Sequence, residues 1–144
     1  MSDPLASLAR LRRQAVDEAR RALLRCVDLE DATERHATAA ENAITQELQI
    51  ASHLSASDHA VERFGVWLRQ ARSDARAARR QQELASADTA RARAALTSAR
   101  AAAEAVDTLR DQKAAERRGE MLRRAQSELD EMTRHRTKVT RETG

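Results

Sequence analysis

Positions three and four apart along the first third of the chain read Ala9, Arg12, Val16, Ala19, Leu23, Cys26, Glu30, Thr33, Ala37, Ala40, Ile44, Glu47, Ala51 and Leu54, a mostly apolar row. That spacing is the heptad seam of a coiled-coil helix. A second row, Leu8, Ala15, Ala22, Leu29, Ala43 and Ile50, flanks it and widens the apolar face. The expected start is at Ser2-Asp3-Pro4-Leu5, where Asp3 can cap and Pro4 suits the first helical position because no amide hydrogen is missed there. No breaker follows for about fifty residues, so helix one is expected over about 4–54.

The segment SASD, Ser55 to Asp58, has side chains that compete with backbone hydrogen bonds or cap a new helix, and it is the expected turn. Beyond it a second seam runs through Val61, Phe64, Leu68, Ala71, Ala75, Ala78, Gln82, Ala85, Thr89, Ala92, Leu96, Ala99, Ala103 and Val106. Helix two is expected over about 59–135, with a frayed tail from Thr133. Folding back near residue 56 sets residues whose numbers add to roughly 113 side by side, which brings Pro4 close to Leu109. Near there the seam loses phase across DQKAAERRGE, and Leu122, Ala125, Leu129 and Met132 follow with an offset. The expected fold is therefore all-α: a long antiparallel two-helix coiled-coil hairpin, one domain over 1–144, with the C-terminal end of helix two overhanging. At 1.5 Å per residue the helices measure about 75 Å and about 115 Å.

Charge distribution supports the antiparallel arrangement. Residues 26–58 hold Asp28, Glu30, Asp31, Glu34, Glu41, Glu47 and Asp58 against one arginine, a net of −6, whereas residues 59–100 hold nine arginines against four acids, a net of +5. The fold-back predicts the pairs Glu34 with Arg79, Glu41 with Arg72 and Glu47 with Arg69. Each exposed pair is worth only about 0–1 kcal/mol, yet together they disfavour wrong registers. Over the whole chain the two signs nearly cancel, at +3.

Composition narrows the picture further. One Phe, one Trp, no Tyr, three Gly and one Pro in 144 residues leave little for an ordinary globular core or for turns, and 34% charged residues suit long exposed helices. The single cysteine, Cys26, forms no internal disulfide and reads as a small apolar residue. The absence of a long apolar run and of a signal-peptide pattern predicts a cytoplasmic protein. Small seam residues bury little area, so modest stability and ends ordered by partners are expected.

The sequence offers no phosphate-binding glycine loop, nucleophile elbow, paired-histidine motif or cysteine cluster, so neither catalysis nor a cofactor is expected. His53 and His59 flank the turn beside Asp58 and read as exposed turn residues rather than metal ligands, and His36 and His135 read as surface. The run RQARSDARAARR, Arg69 to Arg80, has the charge to follow phosphates, but no aromatic residues are interleaved and much of it is expected to face acids of helix one. Trp67 falls at the edge of the seam between Phe64 and Leu68. Two readings stand: a partner anchor, forming a patch with Ile50 and Gln70, or a flank laid across Phe64 and Ile50.

Two stretches carry a resemblance to a known family. DPLASLARLRRQAVDEARRAL, with its Val16–Arg20 segment, and DTLRDQKAAERRGEMLRRAQSELDEMTRHR, Asp107 to Arg136 with Leu129, Asp130 and Glu131, resemble the two ends of the FliJ family, the small coiled-coil subunit of the flagellar type III export apparatus. The likeness spans nearly the whole chain. It implies a stalk-like coiled coil whose paired termini enter the hexameric export ATPase, FliI, and whose turn end projects toward the export gate, FlhA. It further implies contact with the ATPase regulator FliH and with export chaperones, at the cytoplasmic face of the inner membrane and only peripherally associated with it. On this reading the ATPase contacts are Arg12, Arg13, Leu129, Asp130, Glu131 and Met132, and the gate contacts are Ile50, Trp67 and Gln70. The isolated chain is expected to be a monomer that binds no nucleic acid. Alternatives left open are a YscO-like stalk of a virulence secretion system, a self-associating scaffold and a nucleic-acid-binding hairpin.

Overall fold

The computed structural model describes residues 3–53, 55 and 57–142. The expected positions Ser2, Leu54 and Ala56, and the last two residues of the tail, lie outside the described residues. Two helices account for the fold, α1 (Pro4–His53) and α2 (Asp58–Glu142), with no strand among the described residues. They pack against each other, so the chain is all-α and a helical hairpin.

The start of α1 follows from its capping chemistry. The Leu5 amide donates to Asp3 Oδ1 at 3.0 Å, and the Ser7 amide donates to the Asp3 carbonyl at 3.2 Å. Asp3 thus satisfies amides that have no partner inside the helix, and its negative charge suits the positive end of the dipole. At the other end, Ser52 Oγ and His53 Nδ1 both lie within bonding distance of the Gln49 carbonyl, at 2.7 and 2.9 Å. Those side chains close the last turn of α1, and His53 is thereby employed as a cap. Ser57 opens α2: its carbonyl accepts from the amides of Ala60 and Val61, with Asp58 in the first turn.

Backbone contacts divide the chain into two compact units, one made of residues up to Arg13 and from Ala101 onward, the other of Gln14–Arg100. In the Gln14–Arg100 unit, Val16, Ala37, Ala75, Ala78, Ala85, Thr89 and Leu96 are buried, all of them positions of the two expected seams. Ala37 and Thr89 are the most enclosed, at 0% and 1% exposure. Thr89 tolerates burial because its hydroxyl donates to the Ala85 carbonyl at 3.1 Å, one turn back. The flanking row behaves differently: Ala15 and Ala22 are half-buried, but Leu29, Ala43 and Ile50 are exposed. One neighbouring helix covers only a narrow stripe, too narrow for a second row along the full length.

In the other unit, Ala9 and Val106 are buried and Arg13 pairs with Asp107 at 3.4 Å. These two numbers add to 120, one heptad away from the expected 113. Partial burial on α2 accordingly persists through Arg110 and Ala114 to Gly119, beyond the expected limit near Leu109. From Glu120 to Glu142 every residue of α2 is exposed. The helix nevertheless runs on to Glu142, past the region where fraying is expected. Thr133, Thr137 and Thr140 each donate their hydroxyl to a carbonyl four residues back, so these side chains bond the helix itself.

Candidate functional site

The acid–base ladder of the hairpin is built around one arginine. Arg79 donates from Nη1 to both oxygens of Glu34, at 3.2 and 3.0 Å, and from Nε and Nη2 to the two oxygens of Glu41, at 3.0 and 2.8 Å. Both acids lie on α1 seven residues apart, on the same face, so a planar guanidinium placed between them engages both. The hydrogen bonds to Arg79 hold the Glu41 carboxyl below its ordinary value, against a smaller opposing effect of burial. The Arg79 guanidinium is correspondingly held more firmly in its charged form, first by Glu41 and then by Glu34.

Glu34 meets Arg79 as the fold-back reading expects, but the other two pairs differ. Glu41 turns to Arg79 rather than to Arg72, because Arg79 sits between the 113 and 120 registers and reaches both acids. Glu47 and Arg69 form no ion pair among the described residues; both side chains are exposed. The pairing of Arg13 with Asp107 escaped the sequence reading, although a fold-back one heptad longer predicts it together with Glu41–Arg79.

Near the turn, Trp67 stacks on Phe64 with ring centroids 5.6 Å apart and planes inclined by 28°, yet 39% of it remains exposed. The two readings of Trp67 are thus compatible: it rests on the seam aromatic and still shows a face to solvent. Ile50 is 53% exposed, and Gln70 is also exposed, its amide bonded to Asp74 at 2.9 Å one turn along. Val61 and Val66 add exposed apolar surface to this end of α2.

The remaining candidates lie in the unit that holds both chain ends. Arg12 is exposed with no ion pair among the described residues, whereas Arg13 is engaged by Asp107. On the overhang, Leu129 and Met132 are exposed, Asp130 accepts from Gln126 at 3.1 Å, and Glu131 lines a shallow surface with Arg134, His135 and Lys138. The fold does not bring the two groups of candidates together: Asp107, opposite Arg13, is separated from Leu129 by about 33 Å of helix. Leu122, Ala125, Leu129, Met132 and Val139 recur at heptad spacing along the exposed helix, an apolar stripe that α1 does not cover.

Among the described residues no group of three or more His, Cys, Asp or Glu is arranged to hold a metal ion, and no helix is long and apolar enough to cross a membrane. His59 lies 3.8 Å from Glu62 within its own helix.

Asp3 capping, an alanine-rich seam and an exposed extension of α2 define a coiled-coil hairpin. Over residues 1–142 the sequence matches the family described as Flagellar FliJ protein, and the chain belongs to that family. It is accordingly a component of the flagellar protein export apparatus. No curated protein and no solved structure matches it.

Proposed function

We propose that this chain is the stalk of its export apparatus: the end bearing the α2 extension engages the hexameric export ATPase, and the turn end engages the export gate. The observation that carries the reading is the extension itself. From Glu120 to Glu142 every residue of α2 is exposed, and the segment bears an apolar stripe, so a single helix about 12 Å wide is available to enter a ring. Leu129 and Met132 supply apolar contact, Asp130 and Glu131 pair with basic groups of the ring, and Arg12 with Arg13 meets its acidic groups. Ile50, Trp67 and Gln70 form the gate contact. The regulator FliH and the export chaperones dock along the hairpin, and the protein works in the cytoplasm at the inner face of the membrane, held there by its partners. Alone it is a monomer.

Co-purification with the cognate export ATPase tests this reading. Arg12→Glu is the clean variant, because Arg13→Glu also sets a second acid against Asp107 and disturbs the hairpin. Association is expected to weaken with Arg12→Glu and with the pair Leu129→Ser and Met132→Ser while helicity is retained. Full association of both variants would remove the ATPase from the proposal.

A further inference from the structure

Two of the expected cross-helix pairs do not form, and their arginines are left without a carboxylate. Arg69, Arg72, Arg76 and Arg80 stand at positions i, i+3, i+7 and i+11 of α2 and share one face. All four are exposed, and none has an ion pair or side-chain hydrogen bond among the described residues. Four cations without a direct ion pair thus lie within about 17 Å of helix. Between this row and α1 runs an open groove of about 260 Å³, lined by Glu41, Ile44, Arg72, Ala75, Arg76 and Arg79. Its lining includes the apolar Ile44 and Ala75, and Arg79, shared between Glu34 and Glu41, leaves that trio with one net negative charge. The free charges at its rim are those of Arg72 and Arg76.

We propose that this arginine-rimmed groove docks an acidic amphipathic helix of a partner protein, laid beside the hairpin as a third helix. A partly apolar lining with cations on one rim matches a helix whose apolar stripe is bordered by carboxylates. Arg72, Arg76 and Arg80 are spaced by one turn, about 6 Å along the axis, which is also the spacing of glutamates at i, i+4 and i+8 on a facing helix. The same stretch of α2 already recognises such a partner within the molecule, since Arg79 takes two carboxylates from a neighbouring helix at 2.8 to 3.2 Å. A nucleic acid fits less well, because the groove presents aliphatic side chains and no aromatic ring for bases to stack on.

The test titrates the full chain with a fluorescent synthetic helix bearing glutamates at i, i+4 and i+8 beside a leucine stripe. Saturable binding is expected, at least about ten-fold weaker to Arg72→Glu/Arg76→Glu and unchanged by Arg93→Glu/Arg100→Glu elsewhere on α2. The milder Arg72→Gln/Arg76→Gln is expected to lose an intermediate amount, and circular dichroism confirms that each variant retains its helices. Equal binding to the chain and to both groove variants overturns the proposal, as does no binding at all. Preference for a single-stranded oligonucleotide of equal charge, again sensitive to Arg72 and Arg76, overturns it in favour of nucleic acid. None of these outcomes bears on ATPase association through Arg12 and the α2 extension, so the two readings fail separately.

Discussion

Arg79 Nη2 lies 2.8 Å from Glu41 Oε2, and the same guanidinium reaches Glu34 one heptad earlier on α1. The Glu41 carboxyl is held below its ordinary value of 4.5 mainly by these bonds, so it is charged in the folded state at pH values where the unfolded chain has begun to protonate. A carboxyl with a depressed folded value contributes stability above its unfolded value and loses it as pH falls through the folded one. The thermal midpoint of the wild type should therefore exceed that of Glu41→Gln at pH 7, and the gap should close as the pH falls below the ordinary carboxylate value and through the lower folded one. Arg79→Ala should lower the midpoint at neutral pH by a few degrees, more than Arg76→Ala does, because Arg76 has no carboxylate to lose. Scanning calorimetry on the three variants checks both; a pH-independent gap for Glu41→Gln would show that the pair adds nothing to folding.

Ala37 has no exposed surface, and it faces a seam made largely of alanine and threonine. Replacing it by leucine adds three carbons at a position with no exposed surface to receive them. Overpacking is expected to destabilise by about 1–3 kcal/mol, whereas the same change at exposed Ala39 should be nearly neutral. Chemical denaturation distinguishes them, and similar midpoints would mean that the seam adapts to large side chains.

The alanine-rich seams were legible because they repeat every seven residues, and a period survives even when each residue says little. Register was less legible. Small side chains interlock weakly, so the pattern left the 113 and 120 alignments nearly equivalent, and long arginine side chains span the difference between them. Numbering alone therefore pairs Glu41 with Arg72 and Glu47 with Arg69, whereas the fold pairs Glu41 with Arg79 and Arg13 with Asp107. The groove beside Arg76 was invisible for the same reason, since it depends on which arginine captures Glu41. Of the contact candidates, the sequence identified exposed side chains such as Met132 by their phase, but phase alone names no partner.

Among the described residues, truncation after Glu120 removes only exposed ones that lie beyond the covered part of α2. The shortened chain is expected to unfold at the same temperature as the full one, within about 2 °C, while losing helical ellipticity in proportion to the residues removed. On the stalk reading it should also fail to co-purify with the export ATPase. A large drop in midpoint would show that the extension folds back on the hairpin.

Trp67 is the single tryptophan and is part-exposed on Phe64, which makes it a built-in reporter. Its emission is expected to be intermediate between buried and free tryptophan, and acrylamide should quench it partially. On the stalk reading, binding of the export gate should shift the emission to the blue and shield it, and Trp67→Ala should weaken that binding by about 1–3 kcal/mol as an anchor does. Emission that stays constant while the gate is bound by another assay would exclude Trp67 from the contact.

The spacing of Glu34 and Glu41 makes the hairpin a two-pin plug. Sliding α2 by seven residues keeps alanine against alanine; in one direction Ser86 takes the place of Arg79, which then meets Leu48 instead of Glu34, whereas in the other Arg72 takes its place, so the two carboxylates block slippage one way. Grease-like packing sets no stop along the axis, and the stop is electrical. A molecule assembled this way resists axial slippage most in dilute buffer and yields more readily as ionic strength rises.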